Sequence, residues 1–180
     1  MSRWLAALVL TMGLANTASA QGSDANLRMF RDVSDVVQGY AFFTVFDSVN
    51  VAVDEGVVTL IGKVTMPYKS KDLVSRVRRV DGVTAVRNRL EVLPVSLLDD
   101  RIRLAAVRAI YRHPSLQQYG LGVNPSIHVI VEHGRLTLDG VVNSELDRQI
   151  AGAAVGTLST FGVTNNLKTE AEVDRDLERL

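Results

Sequence analysis

The sequence predicts an α+β fold of two tandem αββαβ modules, each a small three-stranded mixed sheet with two helices. Three observations predict it. A strand–turn–strand pattern occurs twice, with Val51 to Val64 matched by Val129 to Val142 at an offset of 78 residues (51 to 129). Each copy lies between stretches of helical periodicity, and each is closed by a further alternating apolar segment. The positions that agree between the copies are the alternate apolar ones and two glycines, which build a fold; the polar residues do not repeat. A duplicated scaffold without a duplicated reactive group points to a binding protein rather than an enzyme.

Taken in order, residues 1–20 read as a secretory signal peptide. Arg3 supplies the positive charge, and Leu5 to Leu14 form an apolar run too short to span a bilayer. Ala18, Ser19 and Ala20 are the small residues that place cleavage between Ala20 and Gln21. Export to the periplasm is the expectation. The chain has no cysteine, so a lipobox anchor, disulfides and thiol chemistry are all excluded. Its 20 basic residues balance 20 acidic ones, and this neutrality gives no support to nucleic-acid binding.

The first module is expected over residues 27–93. A helix runs from Leu27 to Gln38; Val49, Val51 and Val53, then Val58, Leu60 and Val64, alternate as two half-buried strands. Asp54, Glu55 and Gly56 between them are expected to form a three-residue hairpin loop closed by a left-handed glycine. Gly62 inside the second strand marks a bulge or a close backbone approach. Leu73, Val74, Val77 and Val80 make the apolar stripe of a helix across Pro67 to Val80, and a last strand follows from Val86 to Val92. The aromatic run from Tyr40 through Phe42, Phe43 and Phe46 is expected to fill the thin core of this module. Pro94 breaks the strand, leaving residues 94–97 as a short linker.

The second module is expected over residues 98–170. Its first helix runs from Leu98 to Tyr111; Ile127, Val129 and Val131 form one strand, and Leu136, Leu138, Gly140 and Val142 the next, around Glu132, His133 and Gly134. Leu146, Ile150, Ala154 and Leu158 stripe the following helix, where Gly152 and Gly156 suggest close packing on the sheet. A strand from Val163 to Leu167 closes the module. Residues 171–180 are charged and read as a solvated helix or frayed tail.

The hairpin positions Gly56, Val58, Leu60, Gly62 and Val64, then a helix, then Gly82, Val83, Val86, Asn88 and Leu90, together resemble the BON domain. The second copy carries the same hairpin, and the resemblance covers roughly residues 27–170. Two departures stand out. Gly162 and Val163 sit directly at the last strand rather than ahead of it, and the aromatic run replaces a longer helix and polar loop. The resemblance implies the αββαβ fold and a place among osmotically induced and envelope-maintenance proteins of the bacterial periplasm. It also implies an interaction role, commonly phospholipid or envelope binding, with no catalytic residues and no cofactor.

The search for chemistry agrees with that. His113, His128 and His133 are the only histidines, they lack the spacing of a zinc site, and no metal site is expected. No nucleophile elbow, Walker loop or dinucleotide fingerprint occurs, so no small-molecule substrate is expected. Asn88 and Asn165 recur at matching positions and are expected to satisfy local backbone groups. In the helix from Leu98 to Tyr111, Ile102, Ala105, Ala106, Ala109 and Ile110 form one broad apolar face. Leu104, Val107 and Tyr111 form a second stripe, with Arg101, Arg108 and Arg112 beside it. That combination suits an interfacial helix meeting anionic headgroups, and it equally suits packing between the two modules. Lys69, Lys71, Arg76, Arg78, Arg79, Arg87 and Arg89 cluster as well, and a solvated face is favoured there over a phosphate site. The expected function is therefore non-catalytic association with cell-envelope components, anionic phospholipid first. The alternative is a protein–protein adaptor or oligomerising scaffold, and the sequence does not set the oligomeric state.

Overall fold

The computed structural model describes residues 19–121 and 124–178 of the 180-residue chain. Of the expected signal segment, residues 1–20, the first eighteen lie outside the described residues, and Ser19 and Ala20 stand at the start of the first helix; residues 179–180 also lie outside them. The first unit runs α1 (Ser19–Gln38), β1 (Ser48–Asp54), β2 (Val57–Val64), α2 (Pro67–Val77), β3 (Ala85–Val92). The second runs α3 (Leu97–Tyr111), a 3-10 helix (Pro114–Gly120), β4 (Ile127–Glu132), β5 (Arg135–Val142), α4 (Glu145–Gly156), β6 (Gly162–Asn165), β7 (Lys168–Thr169), α5 (Glu170–Glu178).

In each unit the hairpin is antiparallel and the third strand pairs parallel to the second, which a crossover helix makes possible. Alternation decides what is buried. Val51, Val53, Val58 and Leu60 point to one face of the first sheet and pack with Phe30, Val33 and Val37 of α1 and Leu73 and Val77 of α2. Ile127, Val129, Val131, Leu136 and Leu138 do the same in the second, against Ile102, Ala106 and Ile110 of α3 and Ala151 and Val155 of α4.

Several expectations need correction. The hairpin loops are two residues long, not three, because Asp54 pairs with Val57 and Glu132 with Arg135. Both turn residues take positive φ, Glu55 and Gly56 at 46° and 80°, His133 and Gly134 at 50° and 73°, the geometry whose twist matches paired strands. The last strand of the second unit is split. Asn165 Oδ1 accepts the Leu167 N–H at 3.2 Å and its Nδ2 donates to the Arg148 carbonyl at 2.8 Å, so the chain steps out of the ladder between β6 and β7. Asn88 makes the equivalent bond to Leu90 N–H at 3.1 Å, the local role expected of both residues, while β3 continues unbroken. Leu146 is exposed and off the buried stripe of α4, because the small Ala151 and the next-turn Val155 face the sheet instead. Helix α5 is tied down at its start, with Val173 buried, Glu172 paired to Arg148 at 3.2 Å and Asp176 to Lys168 at 2.9 Å. The aromatic run does not serve one core. Tyr40 and Phe43 pack in the first unit, Phe42 is exposed, and Val45 and Phe46 pack on the core of the second.

Gly62 and Gly140 hold equivalent positions, with φ of 143° and 127°, and a Cβ on either would run into the carbonyl oxygen of Ser48 or Ser126 on the neighbouring strand. Gly62→Ala and Gly140→Ala should each lose at least about 2 kcal/mol in urea denaturation, from backbone strain alone. Gly156→Ala, whose added methyl meets open space at the end of α4, should instead be neutral or stabilising by about 0.5–1 kcal/mol.

Candidate functional site

Helix α3 is positioned through its N-terminal half. Ser96 caps it by accepting the Asp99 N–H at 3.2 Å, and the buried Asp99 carboxylate accepts the His133 and Gly134 N–H groups at 3.1 and 2.7 Å. Arg103, also buried, donates to the Val131 carbonyl at 2.7 Å and to Asp100 at 2.6 Å. These contacts lock the helix to the β4–β5 hairpin and fix its rotation. Ile102, Ala106 and Ile110 must then enter the core, one turn apart. The opposite face is left outside: Leu97 at 80% and Leu104 at 51% exposure, with Arg101, Arg108 and Arg112 exposed around them. None of these three arginines makes an ion pair among the described residues.

The expected stripe of Leu104, Val107 and Tyr111 is not presented as one surface. Val107 and Tyr111 are half-buried on the second unit's own core, and the Tyr111 hydroxyl donates to the Ile127 carbonyl at 2.8 Å. Burial pushes that hydroxyl well above the ordinary tyrosine range. The cause is the 3-10 helix, whose seven residues carry no apolar period that would announce it. It opens on Pro114, buries Leu116 and Tyr119, and brings Gly120 so close to the Tyr111 ring that a methyl there would collide. Leu97, assigned to the linker by sequence, takes the vacated place beside Leu104, seven residues and two turns away. Val107 and Tyr111 thus pack on the core of their own unit, which Val45 and Phe46 of the first unit also reach.

The basic cluster of the first unit is also divided. Lys69 is buried and bonded to Asp47, and the Arg76 guanidinium sits 5.2 Å from the centre of the Tyr40 ring. Lys71, Arg78, Arg79, Arg87 and Arg89 are exposed. The three histidines lie on different elements, and among the described residues no group of candidate metal ligands forms.

Between the units lies a polar seam that periodicity did not reveal. Asp47 is fully buried; its carboxylate accepts Lys69 at 2.6 Å, the Thr44 N–H and hydroxyl at 2.8 and 2.7 Å, and the Thr65 N–H and hydroxyl at 2.6 and 2.9 Å. Burial alone would raise this carboxyl, but the bonds from Lys69, Thr44 and Thr65 outweigh it and hold the group below the ordinary carboxylate range. Next to it, the Val45 carbonyl accepts the Val129 N–H at 2.7 Å, covering the free edge of β4. Lys63 reaches Glu132 at 2.5 Å, and Ser48 hydrogen-bonds Asp139. A cleft of about 210 Å³ remains here, lined by Phe43, Ser48, Asn124, His128 and Asp139 among others. Ser48 and His128 share the cleft, but the serine hydroxyl is bound to Asp139 rather than to an imidazole, so no activated nucleophile is assembled. A lone aspartate closing an aromatic run was the one sequence signal that could have pointed to this seam.

The model of the BON domain matches residues 45–94 and 99–171. No curated protein matches the chain. Two solved structures of CdsD, a structural protein of the type III secretion system of Chlamydia trachomatis, are similar to it. One, of the C-terminal domain, is 12% identical with a TM-score of 0.28, over 68% of this chain and 56% of that one. The other is 14% identical with a TM-score of 0.31, over 84% and 97%. The chain thus spans little more than half the length of the first.

The seam yields a direct test. Lys69→Met strands a buried carboxylate without its cation and should cost about 3–5 kcal/mol in denaturant unfolding. Because the Asp47 pKa is lowered in the folded chain, its contribution is present above the ordinary value of 3.8 and fades as pH falls through the lowered one. The wild-type chain should lose that increment on acidification, and Lys69→Met should show a smaller acid-dependent loss.

Proposed function

The chain belongs to the BON domain family, and from that premise we propose that it is a non-catalytic binding protein whose second unit meets anionic phospholipid through the outer face of α3. Leu97 and Leu104 enter the headgroup region, while Arg101, Arg108 and Arg112 meet phosphates. The observation that carries this reading is the set of three exposed arginines without ion-pair partners, flanking two exposed leucines on a helix whose other face is locked into the core. Uncommitted cations beside apolar side chains fit a surface that is itself anionic outside and apolar beneath. Among the described residues no helix is long and apolar enough to cross a membrane, so the contact proposed is peripheral. The setting we propose is the bacterial periplasm, reached through the signal segment over residues 1–20, in envelope maintenance or the response to osmotic stress.

A second reading, a protein–protein adaptor or oligomerising scaffold, is favoured by a different patch. Phe42, Met66 and Tyr68 are all about half exposed on the first unit, and the Phe42 and Tyr68 rings meet edge to face at 6.3 Å. Aromatic pairs of this kind are common anchors at protein interfaces.

Vesicle cosedimentation separates the two. The chain should pellet with vesicles containing anionic lipid at low salt and be released as salt rises. Replacing Arg101, Arg108 and Arg112 by Ala should weaken binding by about a hundredfold, at about 1 kcal/mol per charge. Leu97→Glu with Leu104→Glu should abolish it, with the fold intact by circular dichroism. Wild-type binding to neutral and anionic vesicles alike, or unchanged binding by these variants, overturns the α3 site. A defined oligomer or captured partner that depends on Phe42 and Tyr68 in the absence of lipid supports the second reading.

A further inference from the structure

The cleft between the units holds a titratable side chain that no ion pair accounts for. His128 stands on β4, on the face turned away from the second core, opposite Asp139 of β5 in the ladder. The backbone carbonyls of Thr44 and Asp47 in the first unit lie against its ring, and its Nδ1 has neither a hydrogen-bond partner nor access to solvent. One residue along the strand, the Val129 N–H binds the Val45 carbonyl. The segment that shuts in the imidazole is therefore the one that docks the first unit onto the edge of β4.

We propose that His128 is a proton-operated latch on the contact between the two units. When its ring takes up a proton, segment 44–47 loosens from β4 and the cleft opens. The charged groups facing the ring are Asp139, from β5, and Asp47, from the docked segment. Both favour a cation there, but both are already engaged. Asp139 accepts the Ser48 hydroxyl and the Gly140 N–H, and Asp47 holds Lys69 and both threonines. The other residues lining the cleft are uncharged. A new cation in this position gains little from the carboxylates and loses its water.

Burial therefore dominates, and it holds the imidazole below its ordinary value of 6.5 despite Asp139, Asp47 and the backbone carbonyls of Thr44 and Asp47, all of which favour the cation. A group that is harder to protonate when docked stabilises docking fully above its free value. That stabilisation fades as pH falls below about 6.5 and is gone once the lowered value is passed. Asp47 acts in a separate, more acidic window, since its pKa is lowered from 3.8. The histidine alone should govern the seam between neutrality and about pH 5.

Hydrogen exchange on the full chain reads the latch at the Val129 amide. Corrected for intrinsic exchange, its protection should fall between pH 7 and pH 5, by roughly tenfold for each unit by which the histidine is lowered. Core amides such as Leu138 should hold steady. The His128 ring protons, followed by NMR, should titrate below 6.5 and in step with the Val129 loss. In His128→Gln the Val129 protection should no longer change over this range. A ring that titrates while Val129 protection stays flat overturns the proposal, as does a His128→Gln chain that keeps the same pH-dependent loss. Should that variant fail to dock, the coincidence of the two wild-type titrations decides.

Discussion

The buried pair of Asp47 and Lys69 is the constraint on which the arrangement of the two units rests. The stretch from Gly39 to Asp47 has no regular structure to hold it, yet it must present the Val45 carbonyl to β4 and turn Phe46 toward the second core. Asp47 gives it a shape by gathering Thr44 from its own turn and Thr65 from the end of β2 onto one carboxylate. A carboxylate so completely removed from water is tolerable only with a counter-charge and filled lone pairs. Lys69, in the first turn of α2, supplies the charge, and the four threonine bonds supply the rest. Buried pairs of this kind add little to net stability compared with an apolar core, so their worth lies in what they specify. Here they specify the course of an irregular segment that touches both units.

How much of this could be read from the chain depends on the range of the interaction. Period-two alternation and the glycine pairs are local, so the hairpins, their faces and the close approach at Gly62 and Gly140 are legible in the residues themselves. Turn length is not legible, because Glu55 and His133 take left-handed backbone that their side chains do not advertise. The exposed face of α3 was half legible. Arg101, Arg108 and Arg112 stand where the helical period puts them, but Val107 and Tyr111 are claimed by a 3-10 helix that periodicity cannot detect in seven residues. Contacts between distant polar residues are hardly legible, beyond the lone aspartate that closes the aromatic run. Asp47 and Lys69, Asp99 and the second hairpin, or Lys63 and Glu132 meet only because the chain has already folded around them.

The repeat itself explains why function is to be sought away from the repeated positions. Both hairpins spend their matching residues on the same task, and Val58 and Leu136 are equally inaccessible. What differs between the units is what covers the strands. The second sheet is enclosed on both sides: α3 and α4 lie on the face of Val129, Val131 and Leu138, while Ile130 and Val141, on the opposite face, are also buried, and Ser48 and Lys63 of the first unit reach Asp139 and Glu132 there. That leaves the outer faces of α3 and α4 as the parts of this layer turned to the outside.

This separation matters to how the two proposals relate. A surface engaging Leu97, Leu104 and the three arginines approaches the second sheet from its helical side, and the His128 seam lies on its other side. Neither contact blocks the other. Any influence between them has to pass through the sheet, along elements whose positions are already tied. Asp99 and Arg103 bind α3 to the β4–β5 hairpin, and β4 carries both Val129 and His128. The shortest physical connection between the proposed membrane face and the seam is therefore a single strand, held at one end by the helix and along its edge by the first unit.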